Sequence, residues 1–346
     1  MNKDKSPGVY WKTIIRHRCF LCTAVLATLL VVACTGHLRS SQLNTEEPVK
    51  GNGFVIVTVK TGDTFSSLAG TYLKDSRKGW WIASYNRIAT LSAGQKLVIP
   101  LSPITYGGLH SDGYQTVPIL LYYQVVPKAK NGRATSAQNF TNQILFLKQN
   151  GYHTIRLDEL HAFLSLKDHI PPKSILISFD TVGAWVYEVA YSQLKKHGMT
   201  ASVFITTDDI GKPGNLNWSQ LARMAADGFD IGTLGSSGKD LLKLRPGENA
   251  KAYLNRLEKD IATAKLQILE NTKSPCRYFA YPTGNTNDLL TAILKKHGFH
   301  AAFTRNRGSN PFFANPFQLK RSLIYGQYDM SQFKQNLAVF RTAKLK

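Results

Sequence analysis

Two hydrophobic spacings alternate along most of this chain. Ser174–Phe179 runs apolar without alternation after Pro171-Pro172, as a strand buried on both faces of a parallel sheet does, and stops at Asp180. Ala184–His197 then shows helical spacing through Val186, Val189, Ala190 and Leu194. The same pattern predicts strands at Val117–Tyr123, Tyr152–Ile155, Ala201–Thr206, Phe229–Thr233, Tyr278–Tyr281, Ala301–Thr304 and Ser322–Tyr325. It places helices over Asn139–Asn150, through Leu157, Leu160, Phe163 and Leu164, and near Trp218–Asp227, Ala250–Asn271, Asp288–His297 and Met330–Phe340. Strands alternating with helices imply an α/β domain on a parallel sheet. In such folds reactive groups sit where a strand ends, which makes Asp180 a candidate.

The first third reads differently. Val55–Val59 is a strand, Gly62-Asp63-Thr64 turns into a helix through Phe65, Leu68 and Ala69, and Trp80-Trp81-Ile82 to Asn86 forms a second helix. Gly94-Gln95 turns into a closing strand, Lys96–Ile99. This βααβ unit spans residues 54–101 and is followed by a Gly- and Pro-bearing linker, 102–115, before the large domain, 116–346. Residues 35–53 are polar and read as a flexible tether. Ahead of it a basic lead, the apolar run Cys19–Ala33 and Val31-Val32-Ala33-Cys34 have the form of a lipoprotein signal peptide. Fifteen apolar residues are too few to span a bilayer comfortably. Cys34 is the expected lipidation site, which implies membrane attachment at a bacterial cell envelope. Thr35 behind it, in place of an aspartate, favours the outer membrane if the cell has one.

Charge and cysteine content refine this picture. The 346 residues carry a formal net charge of +21, most of it beyond residue 34. The basic residues are scattered and form no nucleic-acid module, so the excess suggests an anionic surface or polymer and argues against nucleic acid. Beyond Cys34 only Cys276 remains, so neither an intrachain disulfide nor a Cys-x-x-Cys metal site is available to the mature chain. Leu-Lys-Lys-His-Gly at 194–198 and 294–298 reads as two helix C-termini, with His197 and His297 structural.

The passage "ILISFD…YEVAYSQLKKHGMTASVFI" resembles the polysaccharide deacetylase (NodB homology) family, and "VKTGDTFSSLAGTY" with "YNRIATLSAGQKLVIP" resembles a LysM module. The resemblance implies an irregular (β/α)7-type barrel preceded by a small βααβ LysM domain. It implies binding of an N-acetylglucosamine polymer, peptidoglycan or exopolysaccharide, through Gly62, Asp63, Thr64, Phe65, Asn86 and Ile88. Asp180 takes the family's general-base position, and Thr283, in Tyr281-Pro282-Thr283-Gly284, the backbone oxyanion position. The family holds a divalent metal such as zinc with one Asp and two His. Those positions are Thr181, Leu234 and Gly238 here, and Tyr123 replaces a further imidazole. No cofactor is therefore expected, and deacetylation is expected to be lost, because metal lowers the pKa of bound water from roughly 15.7 to about 7 and an ordinary carboxylate does not. The competing readings are a hydrolase with an atypical metal site, for example Asp180 with Asp208, Asp209 or Asp240, and a non-catalytic envelope scaffold.

Overall fold

A computed structural model describes residues 47–51, 53–101, 108–110, 113–129 and 132–343. The stretch expected to be a signal peptide, Cys34 and most of the expected tether lie outside the described residues.

The small domain is a three-stranded antiparallel sheet, β1 (Val49–Gly51), β2 (Phe54–Thr58) and β3 (Lys96–Pro100), with α1 (Phe65–Tyr72) and α2 (Gly79–Asn86) inserted between β2 and β3. Val55, Val57, Leu68, Ala69, Ile82, Leu97 and Ile99 form its core. Thr64 caps α1 by accepting from the Ser67 N–H while the Ser67 hydroxyl returns to Thr64, a reciprocal pair that fixes the helix start. The sheet begins at Val49, inside the stretch expected to be tether, because Val49–Gly51 pairs with Phe54–Ile56.

The large domain opens on a hairpin, β4 (Leu109–His110) and β5 (Gly113–Tyr122), so it starts inside the expected linker. Short parallel strands β6 (Gln124–Val126) and β7 (Ala134–Ser136) lead to α3 (Ala137–Gln149), β8 (His153–Thr154) and α4 (Leu157–Leu164). Then come β9 (Ser174–Asp180), α5 (Ser192–Lys196), β10 (Ser202–Ile205), α6 (Trp218–Ala226), β11 (Asp230–Thr233) and α7 (Ala250–Thr272). The remainder is β12 (Tyr278–Ala280), α8 (Asp288–Lys296), β13 (Ala301–Phe303), β14 (Ser309–Pro311), β15 (Ser322–Ile324), α9 (Met330–Lys334) and β16 (Phe340–Thr342).

Seven strands run parallel in the order β15-β5-β9-β10-β11-β12-β13. Phe303 at the end of β13 bridges to Leu319 just ahead of β15, which curls the sheet into the expected irregular barrel. Two apolar layers follow. Leu120, Ile177, Phe179, Val203 and Ile231 pack outward under the helices, while Ile119, Leu176, Phe204, Leu234, Ala280 and Phe303 fill the interior.

Three elements differ from expectation. The segment after Asp180 is wound as a π-helix over Val186–Tyr191 before α5 resumes α geometry. The last helix ends at Lys334 and not at Phe340. Asn336 turns its amide back onto the carbonyls of Gln332 and Phe333, and Phe340–Thr342 extends to pair with β5. Residues 309–311 add an antiparallel strand against β5 that the apolar pattern did not mark. Both Leu-Lys-Lys-His-Gly copies do end helices, with Gly198 and Gly298 at φ +66° and +71°. Cys276 is fully buried, which pushes its thiol up to about 12.

Candidate active site

Asp180 ends β9 at the mouth of the barrel, and its side chain is only 4% exposed. Its partner is Arg321, which immediately precedes β15. The Arg321 Nη1 and Nη2 donate to Asp180 Oδ1 and Oδ2 at 2.5 and 2.8 Å, a bidentate fork. Arg321 is 0% exposed; its Nε donates to the Thr304 carbonyl at 2.9 Å, and its guanidinium lies 5.5 and 5.9 Å from the ring centres of Phe204 and Phe303. A second guanidinium, that of Arg305 behind β13, approaches Asp180 Oδ2 at 3.5 Å and is 42% exposed. Both oxygens of the proposed general base are therefore held by arginine.

The positions that would complete a metal site have become structural. Thr181 donates its N–H to the Phe204 carbonyl and accepts the Gly183 N–H at its hydroxyl, closing the turn after β9. Leu234 is buried in the interior cluster with Phe204 and Phe303. Gly238 has φ +62°, and a Cβ there would stand 2.2 Å from Thr206 Cγ2, so this turn holds no larger residue without moving. The loop before it is fixed by Asp260 of α7, which accepts the N–H groups of Ser236 and Ser237. The residues present thus do not fit a divalent ion: one carboxylate is neutralised by guanidinium and no imidazole stands beside it.

The other aspartates considered as replacement ligands serve local turns. Asp209 pairs with Lys212 at 2.6 Å and accepts the Thr206 hydroxyl; Lys212 first, then Thr206, hold its carboxyl below the usual range. Asp240 accepts the Leu242 N–H at 3.1 Å, and Asp208 is tied through its own N–H to the Ser236 carbonyl. Among the described residues no three His, Cys, Asp or Glu side chains come together in metal-binding geometry.

Asp180 and Arg305 share a cavity of about 180 Å³ with Leu121, Tyr123, Arg133, Leu323 and Tyr325. Tyr123, just past β5, is 49% exposed. Thr283 sits in an exposed turn closed by the Gly284 N–H to the Tyr281 carbonyl, and Gly284 (φ +83°) packs directly against the Arg305 backbone and Cβ. The Thr283 turn and Asp180 are thereby connected through Arg305. Sequence reasoning singled out Asp180, Thr283 and Tyr123; Asp180 and Tyr123 line this cavity and Thr283 does not, and Arg305, Arg321, Arg133 and Tyr325 were not singled out. The available signal was Arg321 itself, a charge set directly against the apolar strand that follows it.

In the small domain, Gly62 takes φ +89°, Asp63 accepts the Lys60 N–H at 2.8 Å, and Thr64 caps α1. Phe65 and Ile88 are partly buried against the domain core. The Asn86 amide is committed to the backbone: Nδ2 donates to the Ile82 and Val98 carbonyls and Oδ1 accepts the Val98 N–H. The Lys74–Gly79 connection carries a short helical turn, Ser76–Lys78, capped by Asp75. From it Lys78 pairs with Asp168 at 2.6 Å, Arg77 comes within 4.0 Å of Asp158 and Glu159, and Trp80 and Trp81 meet the His169 ring edge-on at 5.2 and 4.1 Å. These contacts seat the small domain against the barrel end where β9 begins.

Comparison with known proteins agrees with this geometry. The polysaccharide deacetylase family model matches residues 167–302, and the LysM domain model matches residues 57–100. A Staphylococcus aureus poly-beta-1,6-N-acetyl-D-glucosamine N-deacetylase is 27% identical over 210 residues, 59% of this chain and 72% of that protein. The Streptococcus pyogenes deacetylase PplD, solved in complex with acetate, superposes with a TM-score of 0.59 at 21% identity, covering 64% of this chain and 98% of that one. IcaB from Ammonifex degensii gives a TM-score of 0.56 at 25% identity over 65% of this chain and 97% of its own. The barrel thus carries a polysaccharide deacetylase match over residues 167–302, and the small domain seated against it a LysM match over residues 57–100.

Proposed function

We propose that this chain is a lipid-anchored envelope protein that binds an N-acetylglucosamine-containing glycan, and that its barrel has given up metal-dependent deacetylation. The observation that carries this reading is the bidentate Arg321–Asp180 pair. A general base must offer a lone pair to water within roughly 2.6–3.2 Å; here Arg321 fills one acceptor site on each carboxylate oxygen, Arg305 stands 3.5 Å from Oδ2, and the side chain is only 4% exposed, which leaves water little approach. The hydroxide source is missing as well, since Leu234 packs with the interior aromatics and Gly238 abuts Thr206. The glycan assignment is supported by the LysM match and by the polymer in the name of the staphylococcal relative. The anchor at Cys34 is supported by the sequence alone. Among the described residues no helix is long and apolar enough to cross a membrane.

The deciding experiment incubates the purified chain with zinc, cobalt or nickel and acetylated glucosamine oligomers and follows acetate release and bound metal. The expected result is neither stoichiometric metal nor turnover, together with retention on insoluble peptidoglycan. Metal-dependent turnover abolished by Asp180→Asn would overturn the proposal. Labelled fatty acid that enters the wild type and not Cys34→Ala tests the anchor.

A further inference from the structure

The cavity at Asp180 has the opposite charge character from a metal site. Arg321 is spent on Asp180 and the Thr304 carbonyl, so that pair is close to neutral. Arg305 approaches Asp180 only at 3.5 Å, is half-exposed, and makes no hydrogen bond among the described residues. A guanidinium carries five donors in a planar fork, so Arg305 offers unfilled donors to the cavity. Arg133, which has a partner of its own, also lines the cavity, and Tyr123 and Tyr325 add aromatic rings. With Asp180 matched by Arg321, Arg305 leaves the charge of the lining positive.

We propose that this cavity is an anion-recognising subsite that takes the acidic substituent, a carboxylate or a phosphate ester, of a sugar residue within the bound glycan. This rests on the non-catalytic reading above and names the ligand class of that same site. The fork of Arg305 suits either oxyanion, because both present paired oxygens to parallel N–H groups. The two tyrosines supply the amphipathic surface a sugar ring needs, apolar face and polar edge together. The volume of about 180 Å³ lies below the roughly 300–1,000 Å³ of pockets that enclose drug-sized ligands, so it admits one substituted ring and not an oligosaccharide.

The test is calorimetric titration of the full chain with glucuronic acid, N-acetylglucosamine 6-phosphate, neutral N-acetylglucosamine and inorganic phosphate. At least one acidic sugar is expected to bind about tenfold or more tighter than neutral N-acetylglucosamine, as loss of a charge-assisted hydrogen bond would predict. Which of the two binds better identifies the substituent. Arg305→Gln is expected to remove that preference without lowering the melting temperature, and Arg305→Lys to retain part of it. Equal affinity for acidic and neutral sugars, or a preference unchanged in Arg305→Gln, would overturn the subsite. Inorganic phosphate binding as tightly as either acidic sugar would overturn its assignment to a saccharide. Acetate release with added metal reports the other reading separately, so failure of one is distinguishable from failure of the other.

Discussion

Removing the Asp180 carboxylate has a different consequence here than at a working general base. Arg321 is fully buried, so Asp180→Ala leaves an uncompensated cation in the barrel interior and should cost about 3–5 kcal/mol of unfolding free energy. Chemical denaturation of the wild type and variant checks this. A loss below about 1 kcal/mol would show that the pair is not structural. The same logic bears on restoring the family's ligands. Leu234→His sets a polar ring among Phe204 and Phe303 and should destabilise by about 2–4 kcal/mol. Gly238→His must displace Thr206 from a left-handed backbone position as well. Thr181→Asp with both histidines is therefore expected to yield no zinc site while Arg321 remains, as equilibrium dialysis would report. At this scale the sequence was legible where a residue had vanished from a motif. It was opaque where a new one had arrived, because Arg321 lies 141 positions from Asp180 and no local spacing connects them.

Single elements were easier to read, and their departures have local causes. The paired apolar runs located α1, α2, β2 and β3 within a residue or two, since each buries a regular stripe. The short α9 escaped because Leu337 and Val339 continue an apolar rhythm while Asn336 ends the helix through its own amide. Asn86, read as a glycan contact, locks α2 to β3 through two hydrogen bonds with the Val98 backbone and makes a third to the Ile82 carbonyl within α2. Asn86→Ala should cost about 1–3 kcal/mol by stranding the Val98 N–H and carbonyl, measured as a lowered melting transition. The lengthened Lys74–Gly79 connection, which departs from the LysM pattern, is where Arg77 and Lys78 reach the barrel. Burial against Trp80 and Trp81, outweighing the opposing pull of Asp168 and reinforced by Lys78, lowers the His169 pKa from 6.5. Undocked protein therefore binds the extra proton below pH 6.5, so docking is strongest above that pH and weakens as pH falls through the lowered value. Tryptophan fluorescence should change over this range in wild type and stay flat in His169→Gln.

For the whole molecule, the alternation of strands and helices sufficed to give the parallel sheet and its position behind a small sheet domain, while the seven-strand count came from the family resemblance. The arrangement of the two domains was not legible, because the seam is made of side chains from segments about 80 to 90 residues apart that meet only after both have folded. Disrupting it by Trp81→Ala combined with Lys78→Glu should speed protease cleavage between the two domains while each domain keeps its own circular dichroism. Cleavage no faster than in wild type would show that the seam contributes nothing to the arrangement.

The LysM domain is seated where β9 begins, and the arginine-lined cavity opens where β9 ends, roughly 20 Å further along at about 3.3 Å per residue. Under the proposed function, a polymer segment held by the small domain would have to extend along the barrel before it could reach Arg305. Short oligomers can occupy one station only, and long ones can occupy both and gain avidity. With separate chains at the two stations the protein becomes a cross-link, and polymer solutions should thicken at intermediate protein ratios and thin again in excess, as mutual saturation leaves each molecule holding a single strand.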